Sequence, residues 1–204
     1  MPFSETDLIN NSLLEIGGTE IANRTDGSTN AIKADNRYDS LRDGLLADAH
    51  WKFATKLVKL ASISVEPVFG FDTAFQLPGD WIDTVGVYDN DAGVGFVNWE
   101  EAEVDGSGVI LTSAVDVFLK YIYKVTDPNR FSDLFRIALE YALARDLAIP
   151  VAQSRSLRAD MKEEAEKALR RAKSHDSLKQ PPPRRPRGSW AASRNVWPSW
   201  RWPR

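Results

Sequence analysis

FDTAFQLPGDWIDTVGVYD, residues 71–89, shows most clearly a change of rhythm that begins at Ala61. Before it, apolar residues recur every three or four positions, the spacing of a helix face. Here they come as short alternating runs broken by Pro78-Gly79-Asp80, the pattern of strands separated by turns. VGFVNW (94–99), GVILT (108–112) and VDVFLKYIY (115–123) repeat that pattern. Asp91-Ala92-Gly93 and Asp105-Gly106 supply residues that tolerate the positive φ of tight turns. Residues 61–125 are therefore expected to form a meander of short antiparallel strands.

Helix signals lie on both sides. In SETDLINNSLLEIGG, Ser4 stands at an N-cap position, Leu8, Ile9, Leu13 and Ile16 share a face, and Gly17-Gly18 marks the stop. Ala34, Tyr38, Leu41, Leu45 and Ala49 predict a second, longer helix, with Trp51 and Phe53 as core anchors beyond it. After the strands, Asp127 and Pro128 suit a helix start, and Leu134, Ala138, Tyr141, Ala142 and Ala148 form an almost continuous apolar band. That helix should be the most buried. Pro150 ends it, and Ser154 or Ser156 opens a last helix with a narrow stripe, Leu157, Met161, Ala165, Ala168 and Ala172. Glu163 with Lys167 and Glu166 with Arg170 are i,i+4 pairs in the favourable order. From Gln180, PPPRRPRG favours extended backbone.

This divides the chain into N-terminal helices (1–60), a β-rich insert (61–125), C-terminal helices (126–176) and a tail (177–204). The expected class is α+β, an antiparallel helical bundle with an inserted antiparallel sheet and an extended tail.

Charge follows the same division. The net charge is −3, yet residues 61–125 hold eleven acids against Lys120 and Lys124, while 177–204 hold Lys179, six arginines and no acid. The insert's sign repels nucleic acid rather than binding it. There is no cysteine, so no disulfide or thiolate site is available. No apolar run approaches the roughly 20 residues needed to cross a bilayer, and MPFSETDLIN lacks a signal-peptide pattern, so synthesis in the cytoplasm is expected.

Chemistry is sparse. His50 and His175 belong to different elements and fit no metal or triad spacing. DNDAGVGFVNWE places Asp89, Asp91 and Glu100 at EF-hand positions one, three and twelve. Gly93 at five offers no ligand, however, and Val94 stands where the loop requires glycine. Asp80 and Asp83 around Trp81 suggest a glycan site of two acids and an aromatic platform. Alternation along a strand would aim them to opposite faces. GVGFV and GSG lack the lysine or helix of a phosphate loop. No cofactor or metal is expected.

The tail has three readings. It is a chain end with no fixed role, an arm that puts arginines on phosphates and tryptophans on bases, or a set of anchors for a protein groove.

The order of DLINNSLLEIGG (7–18), ADNRYDSLRDGLLADAHWKFA (34–54), FQLPGDWIDTVGVYD (75–89) and the long stretch from LKYIYKVTDP (119–128) to RRAK (170–173) resembles the head-to-tail adaptor proteins of short-tailed bacteriophages, the tail tubular protein A family. The resemblance spans about residues 5 to 175 and is most specific around WKFA, LPGDW and YKVTDP. It implies a helical bundle with a β-rich insert between the second and third main helices. It implies a virion protein at the head-tail junction, made in the host cytoplasm. The expected assembly is a homo-oligomeric ring of twelve copies, bound beneath the portal protein and above the tail nozzle protein. Genomic DNA would pass through without specific binding, and neither catalysis nor a membrane is implied.

Two surfaces follow from joining the resemblance to the charge map. Asp80, Asp83, Asp89, Asp91, Glu100, Glu101, Glu103 and Asp105 are expected on a channel or nozzle-side rim, where repulsion lets DNA slide. Arg184, Arg185, Arg187, Trp190, Arg194, Trp197, Trp200 and Trp202 are expected to grip the portal; residues 181–204, fully extended at about 3.1 Å each, reach roughly 75 Å. The competing readings are a nucleic-acid-binding protein that uses this tail and a glycan-degrading tail enzyme that uses acids of the insert.

Overall fold

The computed structural model describes residues 2–179 except 65, 66, 68, 69, 96 and 105. Among these the helices are α1 (Glu5–Glu15), α2 (Thr29–Ala47), α3 (Asp133–Leu147) and α4 (Arg155–Ser177). The strands are β1 (Thr55–Leu60), β2 (Ser62–Ile63), β3 (Thr73–Gln76), β4 (Trp81–Tyr88), β5 (Trp99–Val104), β6 (Ser107–Thr112) and β7 (Val117–Tyr123). The class is α+β, with every strand pairing antiparallel.

The helices begin where their caps dictate. Ser4 accepts from the Asp7 amide at 3.1 Å, and Asp7 accepts from the Ser4 amide at 2.8 Å, a reciprocal capping box. This depresses the Asp7 carboxyl below its ordinary range, through the Ser4 amide first and its hydroxyl second. Gly17, at φ +70, takes the left-handed turn that ends α1. Ser28, Ser132 and Ser154 cap α2, α3 and α4 in the same way through their hydroxyls.

The strands form two sheets, ordered β1-β7-β4 and β2-β3-β6-β5. That order differs from a simple meander, in which each strand pairs with the next. Among the described residues only β2–β3 and β5–β6 are sequential pairs, and β7 instead runs between β1 and β4. Both sheets contribute to the core, Val87, Leu119 and Ile122 from the first and Phe75 and Ile110 from the second. Asp91-Ala92-Gly93 therefore makes a crossing between sheets rather than a hairpin, although Gly93 does adopt φ +64. Gly106, at φ +76, serves the β5–β6 hairpin.

Two boundaries also move. The β region begins at Thr55 rather than 61, because Thr55–Leu60 pairs along its whole length with β7, from Thr55↔Ile122 to Leu60↔Val117. Asp127 and Pro128 start only a short 3-10 turn, Pro128–Arg130, and α3 opens afresh at Asp133 under the Ser132 cap. Phe131 is extended between them and buries its ring.

A single core joins helices and sheets. Leu8, Ile9 and Leu13 of α1, Tyr38 and Leu46 of α2, and Phe135, Leu139 and Leu143 of α3 lie in one cluster with Val87, Leu119, Ile122, Phe75 and Ile110 of the strands. α3 packs against α1, α2 and α4, and its buried set includes Ala138, Ala142 and Leu147. At the junction Trp51, Phe53, Phe131 and Phe135 form an aromatic hub with centroids 5.0–6.0 Å apart. The Trp51 indole donates to the Leu45 carbonyl at 2.8 Å, so its one polar atom is satisfied in the interior. Asp176 at the end of α4 accepts from the Lys52 amide at 2.8 Å, tying the last helix to the same junction.

Candidate interaction surfaces

The charged residues fall into two kinds, those consumed within the chain and those left facing outward. Arg24 and Arg42 are the first kind. The Arg24 guanidinium meets Glu5 at 2.8 Å, Asp39 at 2.6 Å, and Asp35. Arg42, only 2% exposed, meets Asp39 at 2.8 Å and Asp43 at 2.8 Å, and Asp43 also receives Lys124 at 2.7 Å. These contacts tie α1, the following loop, α2 and the end of β7 together. Both guanidinium groups sit over the Tyr38 ring, at 4.9 and 5.9 Å. Burial pushes the Tyr38 hydroxyl above its ordinary range, while the hydrogen bond from Arg24 holds the Asp39 carboxyl below its own.

Asp80, expected on an open acidic rim, also belongs to this kind. It lies just before β4, forms an ion pair with Lys56 and accepts the Tyr121 hydroxyl at 2.9 Å. Burial alone would raise its carboxyl, but Lys56 and Tyr121 outweigh that and hold it below the ordinary range. A glycosidase proton donor needs the opposite shift. Lys56 in turn stands 3.9 Å over the Tyr123 ring. Asp83 lies 3.7 Å from His50 at the half-exposed start of β4. It makes no pair with Asp80 among the described contacts.

The remaining acids do face outward. Asp89 and Asp91 are exposed in the crossing after β4, which is flanked by strands on both sides. Glu100, Glu101 and Glu103 are exposed on β5, an edge strand of the second sheet. Charged side chains on such an edge oppose indiscriminate strand pairing. Glu101 and Glu103, two residues apart, share a face of the strand and line a cleft of about 450 Å³ with Trp81, Leu77 and Gly108. Asp105 lies outside the described residues, as do Arg184, Arg185, Arg187, Trp190, Arg194, Trp197, Trp200 and Trp202.

A basic counterpart went unnoticed in the sequence. Arg145 of α3 and Arg155, Arg158 and Lys162 of α4 surround a groove of about 510 Å³ floored by Ile149 and Ala159. Its single acid, Asp146, is already held by Arg145 at 2.8 Å. Arg155 and Arg158 form no ion pair among the described residues, and Lys162 reaches Glu166 only at 3.9 Å. The signal was present as bases at 155, 158 and 162, the three-and-four spacing of one helix face. It was hidden by the acids that follow at 163, 164 and 166, which make α4 look evenly balanced.

No helix among the described residues is long and apolar enough to cross a membrane. No protein-family model matches the chain, and no curated protein matches it.

Proposed function

We propose that the protein is a head-to-tail adaptor of a short-tailed bacteriophage, a structural virion protein that forms a ring between the portal and the tail nozzle. The observation that supports this reading most is the placement of a β-rich unit between the second and third main helices, in a chain whose motif order resembles that family. In this role the ring extends the DNA channel at the portal vertex after assembly in the host cytoplasm, and offers the nozzle protein its docking surface. The exposed acids of the insert suit a rim past which DNA slides, since phosphate contacts would slow its release.

The basic, tryptophan-rich segment 181–204 is assigned to the portal, with arginines on acidic surface and tryptophans in apolar clefts. The test is purified portal protein mixed with this chain, with and without residues 181–204, viewed by electron microscopy. Rings stacked on the portal are expected for the full chain only. Portal attachment that survives the deletion would sink the strap, and a chain that never joins the portal would sink the adaptor reading.

A further inference from the structure

We propose that copies of this chain join side by side by inserting the basic groove of one copy, between α3 and α4, onto the acidic β5 edge of the next. The inference rests on the adaptor reading only in taking the closed product to be its ring.

Three observations lead to it. The groove and the edge are opposite in sign and unsatisfied within the chain: Arg155 and Arg158 have no ion pair among the described residues, nor do Glu100, Glu101 and Glu103. Both sit on regular elements, a helix and a hydrogen-bonded strand, so neither must be ordered before docking. The acidic side also has the chemistry that suits arginine. Glu101 and Glu103 offer carboxylates beside the Trp81 ring, where a guanidinium can accept both charge pairing and aromatic contact.

Within one chain no ion pair joins the two patches among the described residues. The N-terminal end of α3 carries Phe135 into the aromatic hub next to the sheets. Arg145 lies ten residues further on, about 15 Å along the helix from that hub. Two different patches joining unlike to unlike make a heterologous contact, which closes into a ring when the rotation permits. Duplex DNA is a weaker occupant for the groove. Its floor is apolar, with Ile149 39% exposed, and the insert's acids would repel a long polyanion.

The experiment uses the full chain in sedimentation velocity over a concentration series at low and physiological salt. The variants are R155E with R158E, E101R with E103R, and all four together. Each reversed pair is expected to weaken association about tenfold or more, and the fourfold variant to recover most of it, because its charges are again complementary. R155Q with R158Q guards against misfolding and should weaken association less, with an unchanged unfolding midpoint.

A wild-type chain that stays monomeric throughout, reversed pairs that associate normally, or a fourfold variant as weak as either pair would each overturn the proposal. So would a groove variant that loses only duplex DNA retention, or association that depends on residues 181–204 and not on the groove. Tail-dependent portal attachment that persists in such a failure leaves the adaptor reading standing, whereas loss of both would remove it.

Discussion

Arg42 and Arg158 are the same side chain used in opposite ways. Arg42 is buried between Asp39 and Asp43 and belongs to the fold, while Arg158 stands exposed over a groove and forms no ion pair among the described residues. The difference lies in partners rather than in residue type. A charge removed from water must be neutralised within the chain or it costs several kcal/mol, so buried charges reveal what holds the fold. A charge left in water loses little by being alone, so a group of like charges without local partners marks a surface for something else.

The comparison breaks most readily at Arg42. R42A takes one of two cations from each of Asp39 and Asp43, which keep Arg24 and Lys124, and leaves the buried space of its side chain unfilled, so about 2 kcal/mol is expected. A urea midpoint that falls with an unchanged slope would show it; no shift would mean the clasp is ornamental. Acid should reach the same clasp next. Asp39 has its carboxyl depressed in the fold by Arg24, so it contributes stability above the unfolded value near pH 3.9 and loses it as pH falls through the lower folded value. With its side chain 52% exposed, solvent screening limits the effect to about 1 kcal/mol. D39N should therefore flatten the fall in stability below about pH 4, measured as urea midpoint against pH.

D80N keeps an acceptor for Tyr121 but removes the partner of Lys56, and about 0.5–1 kcal/mol is expected by thermal unfolding. R158A is the smallest and sharpest case: monomer stability within about 0.5 kcal/mol of wild type. A large loss there would erase the distinction between the two arginines.

Local signals made much of the fold legible in the sequence. Ser4 and the pair Ser154 or Ser156, of which Ser154 is the cap, marked helix starts, Gly17 a stop, and Trp51 an anchor, because each acts within a few residues of itself. The pairing of Thr55 with Ile122 was not legible, since register across so long a separation depends on which faces the helices cover. TKLVKL alternates too weakly to announce an edge strand, and Asp127-Pro128 carries a start signal that Ser132 supersedes. Among the charges, the acidity of β5 was plain. Its cleft with Trp81 required two sheets to form first, and a mid-helix arginine such as Arg42 reads as solvent-facing until its partners are seen.

The pairing of β1 with β7 has a mechanical side. β1 carries the chain from the helices to the second sheet, and β7 carries it back, with β4 laid along the same ladder. A pull on the second sheet relative to the helices runs lengthwise through the covalent backbone of both adjacent strands, in addition to the core that joins the two. Both strands are loaded from the same end, so the ladder between them is not sheared and keeps them in register. The paired connection between the helices and the second sheet is thus built to take tension.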